Sequence, residues 1–159
     1  MRLALRFEER LAGSYRFGDE RDRPLRLELV ATSTGGGRFD VTGLIDAPGL
    51  AARAPLEGRI TLGRPLRISY ALTFPDDAGR SLRLVAEKAR LLEHAYASLT
   101  TLRGELVETQ EERRVAVFAA RFDARGDIGW WLSRLRLMPA DGPPSIRRRS
   151  RPAGNRMGA

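Results

Sequence analysis

The sequence predicts an all-β domain, with about eight antiparallel strands closed as a lipocalin-like barrel or stacked as a two-sheet sandwich, plus one short amphipathic helix near the C-terminus. Two observations carry that prediction. Apolar and polar residues alternate with period two through most of the chain, and Gly, Pro and Asp clusters interrupt the alternation at intervals typical of β-domains. A third narrows it: at 159 residues with 42% hydrophobic and 30% charged composition, the chain suits one folded core, and with no Cys that core is held by packing alone.

The first strand is expected over residues 3–17, with Phe7, Leu11, Tyr15 and Phe17 as apolar anchors around a bend at Gly13. Leu25, Leu27 and Leu29 alternate with Arg26 and Glu28, the sign of a strand with one wet and one buried face. Gly35, Gly36 and Gly37 then make a hairpin connection to a strand carrying Phe39, Val41 and Gly43. A phosphate cradle is the costlier reading there, because no Lys or Ser/Thr at P-loop spacing and no helix pattern follow the glycines.

Residues 46–55 predict a helical turn, with Pro48 early in it and Leu50 buried. Strands follow at 56–62 and 66–74, the second presenting Ile68, Tyr70, Leu72 and Phe74 on one face. The turn at residues 75–79, Pro-Asp-Asp-Ala-Gly, leads into a strand at 81–89 with Leu82, Leu84, Ala86 and Lys88 on one side. A second long hairpin joins residues 96–107 to 114–122. Asp127 then caps a helix whose Ile128, Trp131, Leu132 and Leu135 form one apolar stripe. The single domain is placed at residues 1–138, and the Pro/Gly/Arg-rich segment 139–159 reads as a disordered basic tail.

Catalytic chemistry is not composed in this sequence. His94 is the only histidine, no G-x-S-x-G turn places Ser81 or Ser98 for a hydrolase triad, and no His, Asp or Glu spacing suits a metal. The carboxylate neighbours Asp76/Asp77 and Glu111/Glu112 fall in turns, and Glu8/Glu9 point to opposite faces of a strand. No cofactor is expected. The reading is of a non-enzymatic module.

Charge narrows the partners. The chain carries +8, but five of its 28 basic residues lie at 147–159, leaving 23 against 20 acidic residues elsewhere. Nucleic acid or an anionic membrane is therefore suggested only through the Arg-rich tail. The N-terminus lacks the apolar core of a secretory signal and no stretch has membrane-spanning length, which places the protein in the cytoplasm. Arg far outnumbers the single Lys88, which fits a GC-rich bacterial genome as well as selection for polyanions.

An eight-stranded barrel has room for one small apolar ligand, and the ligand-binding residues expected for it are Tyr15, Tyr70, Phe74, Leu84, Lys88 and Trp131. Leu27, Leu72 and Leu99 complete the expected lining. Lys88 has two readings: an anchor for a ligand's polar head, or, more ordinarily, a strand-end lysine whose ammonium reaches water. Thr100 and Thr101 point opposite ways, so one hydroxyl would face inward. Trp130 and Trp131 point about 100° apart on a helix. Trp131 either covers a barrel end or offers a patch to a partner, lipid or apolar ligand.

Landmarks recur in a suggestive order: Phe7-Glu8-Glu9-x-x-x-Gly13, Gly49-Leu50, Pro55-Leu56-Glu57-Gly58, Tyr70-x-Leu72-x-Phe74 before an Asp-Asp-x-Gly turn, then Lys88 and Thr100-Thr101-Leu102-x-Gly104. Over residues 5–137 this resembles the β-rich segment that accompanies some bacterial sterol-oxidase-like flavoproteins of the glucose-methanol-choline oxidoreductase group. The flavin signature G-x-G-x-x-G is missing. What the resemblance implies is an accessory or ligand-handling β-module, docking on a lipid-metabolising or flavin enzyme, without the oxidase activity.

Overall fold

The computed structural model describes residues 3–64, 67–88, 101–122 and 136–139. The alternating runs form strands β1 (Leu3–Arg16), β2 (Arg23–Gly35), β3 (Arg38–Ala47), β4 (Ala51–Gly63), β5 (Arg67–Pro75), β6 (Ser81–Lys88), β7 (Thr101–Glu108), β8 (Arg113–Phe122) and β9 (Arg136–Pro139). Each of β1 to β7 pairs antiparallel with the next, and β1 pairs with both β2 and β8, which closes an eight-stranded up-and-down barrel. Closure leaves the strands without open edges.

β1 is long enough to need three partners. Its residues from Arg6 to Tyr15 pair with β2, Leu11 to Arg16 pair with β8, and Leu3 to Arg6 pair with β9. The ninth strand departs from the sequence reading, which had no strand after residue 122. Four residues ending in Pro carry too short an alternation to announce a strand; β9 is identified by the backbone of β1 that it satisfies.

Alternation sets the two faces. Leu11, Leu27, Leu29, Val41, Ile60, Leu72, Leu84, Leu102 and Phe118 point inward and are buried. Arg26, Glu28, Arg59, Glu87, Arg103 and Arg121 point outward. This apolar-in, charged-out order is the reverse of a membrane-spanning barrel. Among the described residues no helix is long and apolar enough to cross a membrane. Tight coiling of the wall is met by glycine at inward positions. A Cβ on Gly104 would lie 2.0 Å from the Val85 carbonyl oxygen, and one on Gly13 2.0 Å from that of Ala119. Only a residue without a side chain permits that approach.

The β2–β3 hairpin turns on Gly36 and Gly37, whose φ of 60° and 73° supply the two positive values of a type I′ turn. The expected helical turn at 46–55 is instead a tight turn at residues 48–50, and β4 begins at Ala51. Arg53, with φ 47°, adopts the left-handed conformation beside a register shift between Ile45 and Ala47, so a bulge absorbs the irregular stretch that read as helix. Leu50 is buried there, as expected. The predicted helix at 127–135 with both tryptophans, His94, Leu99, Thr100 and the tail after Pro139 lie outside the described residues.

Candidate functional site

Odd-numbered residues of β1 face the lumen, so Phe7, Glu9 and Leu11 share one inward row. Glu9 is 3% exposed. β5 and β6 stand across the barrel from β1 in the strand order. From β5, the Tyr70 hydroxyl donates to Glu9 Oε2 at 2.9 Å; from β6, Lys88 Nζ donates to Glu9 Oε1. The ammonium also lies 5.3 Å from the Tyr70 ring centroid, over its negative face. The three side chains form a polar crossbar through a mainly apolar interior, in which Glu108 and Asp76 are also buried.

Lys88 is thus an inward charge: the strand-end lysine reaching water is corrected by its 9% exposure and its pairing with Glu9. An ion pair held away from water costs several kcal/mol of desolvation per ion, offset only by its mutual attraction and added hydrogen bonds. Burial, followed by the charge and hydrogen bond of Glu9, pushes the Tyr70 phenol well above its ordinary pKa. It therefore stays a donor throughout the physiological range.

The two ends of the barrel differ. On the side of the crossbar marked by the start of β1 and the β2–β3 hairpin, Leu5, Phe7 and Ile68 are half-buried and pack on the core beside buried Phe39. Phe7 and Phe39 meet edge to face with centroids 5.4 Å apart. Leu5 N–H donates to Ser33 Oγ at 2.8 Å, tying β1 to the hairpin. Among the described residues this end is lined by apolar side chains, with the polar crossbar beneath them; residues 89–100 and 123–135, which join strands at the same end, lie outside the described residues.

The opposite end is plugged. Leu50 is buried in it, Asp77 N–H donates to the Leu50 carbonyl at 2.9 Å, and Asp77 Oδ1 accepts from Ala52 N–H at 2.9 Å. Tyr15 belongs to this end. Its hydroxyl donates to the Pro48 carbonyl at 2.6 Å, and burial raises its pKa despite Arg23 nearby. Asp76 caps its own turn, accepting from Ala78 N–H and Arg80 N–H at 3.0 and 2.7 Å and pairing with the Arg80 guanidinium at 2.8 Å.

Of the six expected site residues, then, the structure brings together Tyr70 and Lys88. Tyr15 sits at the far end with its hydroxyl committed, Phe74 and Leu84 are buried in the packed interior, and Trp131 lies outside the described residues. Glu9 is the residue that the sequence reading missed. Outside the barrel, a shallow cleft of about 480 Å³ runs over Thr42, Pro55, Glu57, Thr73 and Ser81. Among the described residues no group of His, Cys, Asp and Glu is arranged to hold a metal ion. Comparison with known proteins finds no matching family model, curated protein or solved structure.

Proposed function

We propose that the chain is a small non-enzymatic, lipocalin-like barrel that takes up one apolar or lipid-like molecule through the mouth formed by Leu5, Phe7, Phe39 and Ile68. The observation that carries this reading is the crossbar of Glu9, Lys88 and Tyr70 directly beneath the apolar side chains of Leu5, Phe7, Phe39 and Ile68 at one end of the barrel. An amphipathic molecule meets the same order of surfaces: apolar contact along its length and hydrogen-bonding groups at its buried end. In the row beside Tyr70, Ala86 and Gly104 add little side-chain volume before Phe118. Stability alone does not call for the ion pair, since apolar residues of similar volume often serve a core as well or better.

Saturable enhancement of N-phenyl-1-naphthylamine fluorescence, together with native mass spectrometry of the purified protein for a co-purifying lipid, tests the reading. Saturable, competable binding is expected. No binding by either method refutes it.

A second reading, an accessory domain docking on a flavin or lipid-metabolising enzyme, draws on the outer cleft and on the resemblance to the flavoprotein-associated segment. On that reading Thr73→Arg weakens the enzyme complex while probe binding is unchanged.

A further inference from the structure

We infer that the head group this barrel accepts is uncharged, a hydroxyl or carbonyl, and that free carboxylates and amines are rejected. The inference rests on the ligand-binding reading above and concerns what the crossbar can hold. In binders of anionic lipids an unpaired cation is the natural anchor; here the only lysine of the chain already faces Glu9, and the pair is neutral as a unit. Added negative charge would stand beside the Glu9 carboxylate and added positive charge beside the Lys88 ammonium, each in a site shielded from water.

What the crossbar retains is hydrogen-bonding capacity without net charge. An ammonium has three N–H donors, and among the described residues Lys88 gives one, to Glu9 Oε1. The Tyr70 hydroxyl spends its donor on Glu9 Oε2, which leaves the phenolic oxygen as an acceptor. Donor and acceptor therefore sit on the two oxygens of one carboxylate, the ammonium on Glu9 Oε1 and the phenol on Oε2. An alcohol needs one of each; a ketone or amide carbonyl needs the donor alone. A carboxylate would require protonation on entry, and at pH 7.5 an acid of ordinary pKa is protonated in only about one molecule in a thousand.

The test displaces N-phenyl-1-naphthylamine from the wild-type protein with 1-decanol, decanoate and decylamine, identical in chain length. Decanol is expected to compete at least about tenfold better than either charged compound at pH 7.5, and decanoate to gain about tenfold for each unit that the pH is lowered towards 5.5. Decanoate or decylamine competing as well as decanol at pH 7.5 overturns the inference while leaving the ligand-binding reading intact. A probe that does not bind the wild-type protein, with no lipid co-purifying, overturns both. Glu9→Gln leaves the Lys88 charge uncompensated, and the preference should then turn to decanoate by at least about tenfold. Unchanged preference in a folded Glu9→Gln protein also overturns the inference; if that variant does not fold, the wild-type series decides alone.

Discussion

Removing one side of the crossbar should be far worse than removing both. Lys88→Met leaves the Glu9 carboxylate buried and held, among the described residues, by the Tyr70 hydroxyl, and Glu9→Leu leaves a buried ammonium and a phenol without its acceptor. Each single change is expected to cost about 3–5 kcal/mol, the usual result of stranding a buried charge. In the double variant neither charge remains, and the unpaired Tyr70 hydroxyl costs about 1–3 kcal/mol. Urea unfolding of the four proteins measures the cycle. The double variant should lie above both singles, with a coupling of at least about 3 kcal/mol. At roughly 2–4 °C per kcal/mol for a chain of this size, each single should lower Tm by roughly 6–20 °C. Additive effects, or singles costing under about 1 kcal/mol, would refute the reasoning by showing a pair that water already screens.

Other substitutions test the frame that holds the site. Gly104→Ala drives a Cβ into the Val85 carbonyl and the Ala86 backbone and should cost about 3 kcal/mol by thermal or urea unfolding. Tyr15→Phe removes the hydrogen bond to Pro48 at the plugged end and should cost about 1 kcal/mol by urea unfolding, without changing probe affinity. Although burial opposes it, hydrogen bonds from Arg80 and Ala78 and the Arg80 charge hold Asp76 below its ordinary value. Its contribution is therefore present above about pH 4 and lost as pH falls through the lowered native value, a slope that Asp76→Ala should flatten in acid unfolding. Tyr70 runs the other way: its raised native pKa makes stability fall as pH climbs above about 10, and Tyr70→Phe should remove that part of the alkaline loss.

The barrel was largely legible because each wall strand has one apolar and one wet face. The strip Ile68, Tyr70, Leu72, Phe74 and the row Leu82, Leu84, Ala86, Lys88 follow directly from that alternation. The same rule held the signal for Glu9, which sits between Phe7 and Leu11 in an inward row; considered beside Glu8 as a carboxylate pair, it lost that meaning. Alternation says which way a residue faces, not what it meets across the lumen. Glu9 is 61 residues from Tyr70 and 79 from Lys88, and only closure of the barrel brings them together. The bulge at Arg53 defeated period-two reading locally, since an extra residue shifts the faces of everything before it. β9 carried no pattern of its own beyond four residues.

The most direct test of an internal binding site is methyl-resolved NMR of the labelled protein titrated with 1-decanol. The account predicts saturating shifts at inward methyls near the crossbar and mouth, above all Leu5, Leu29, Ile60, Ile68 and Leu102, while Val85 on the outer wall stays fixed. Shifts confined to residues around the outer cleft, or none at saturating decanol, would contradict it.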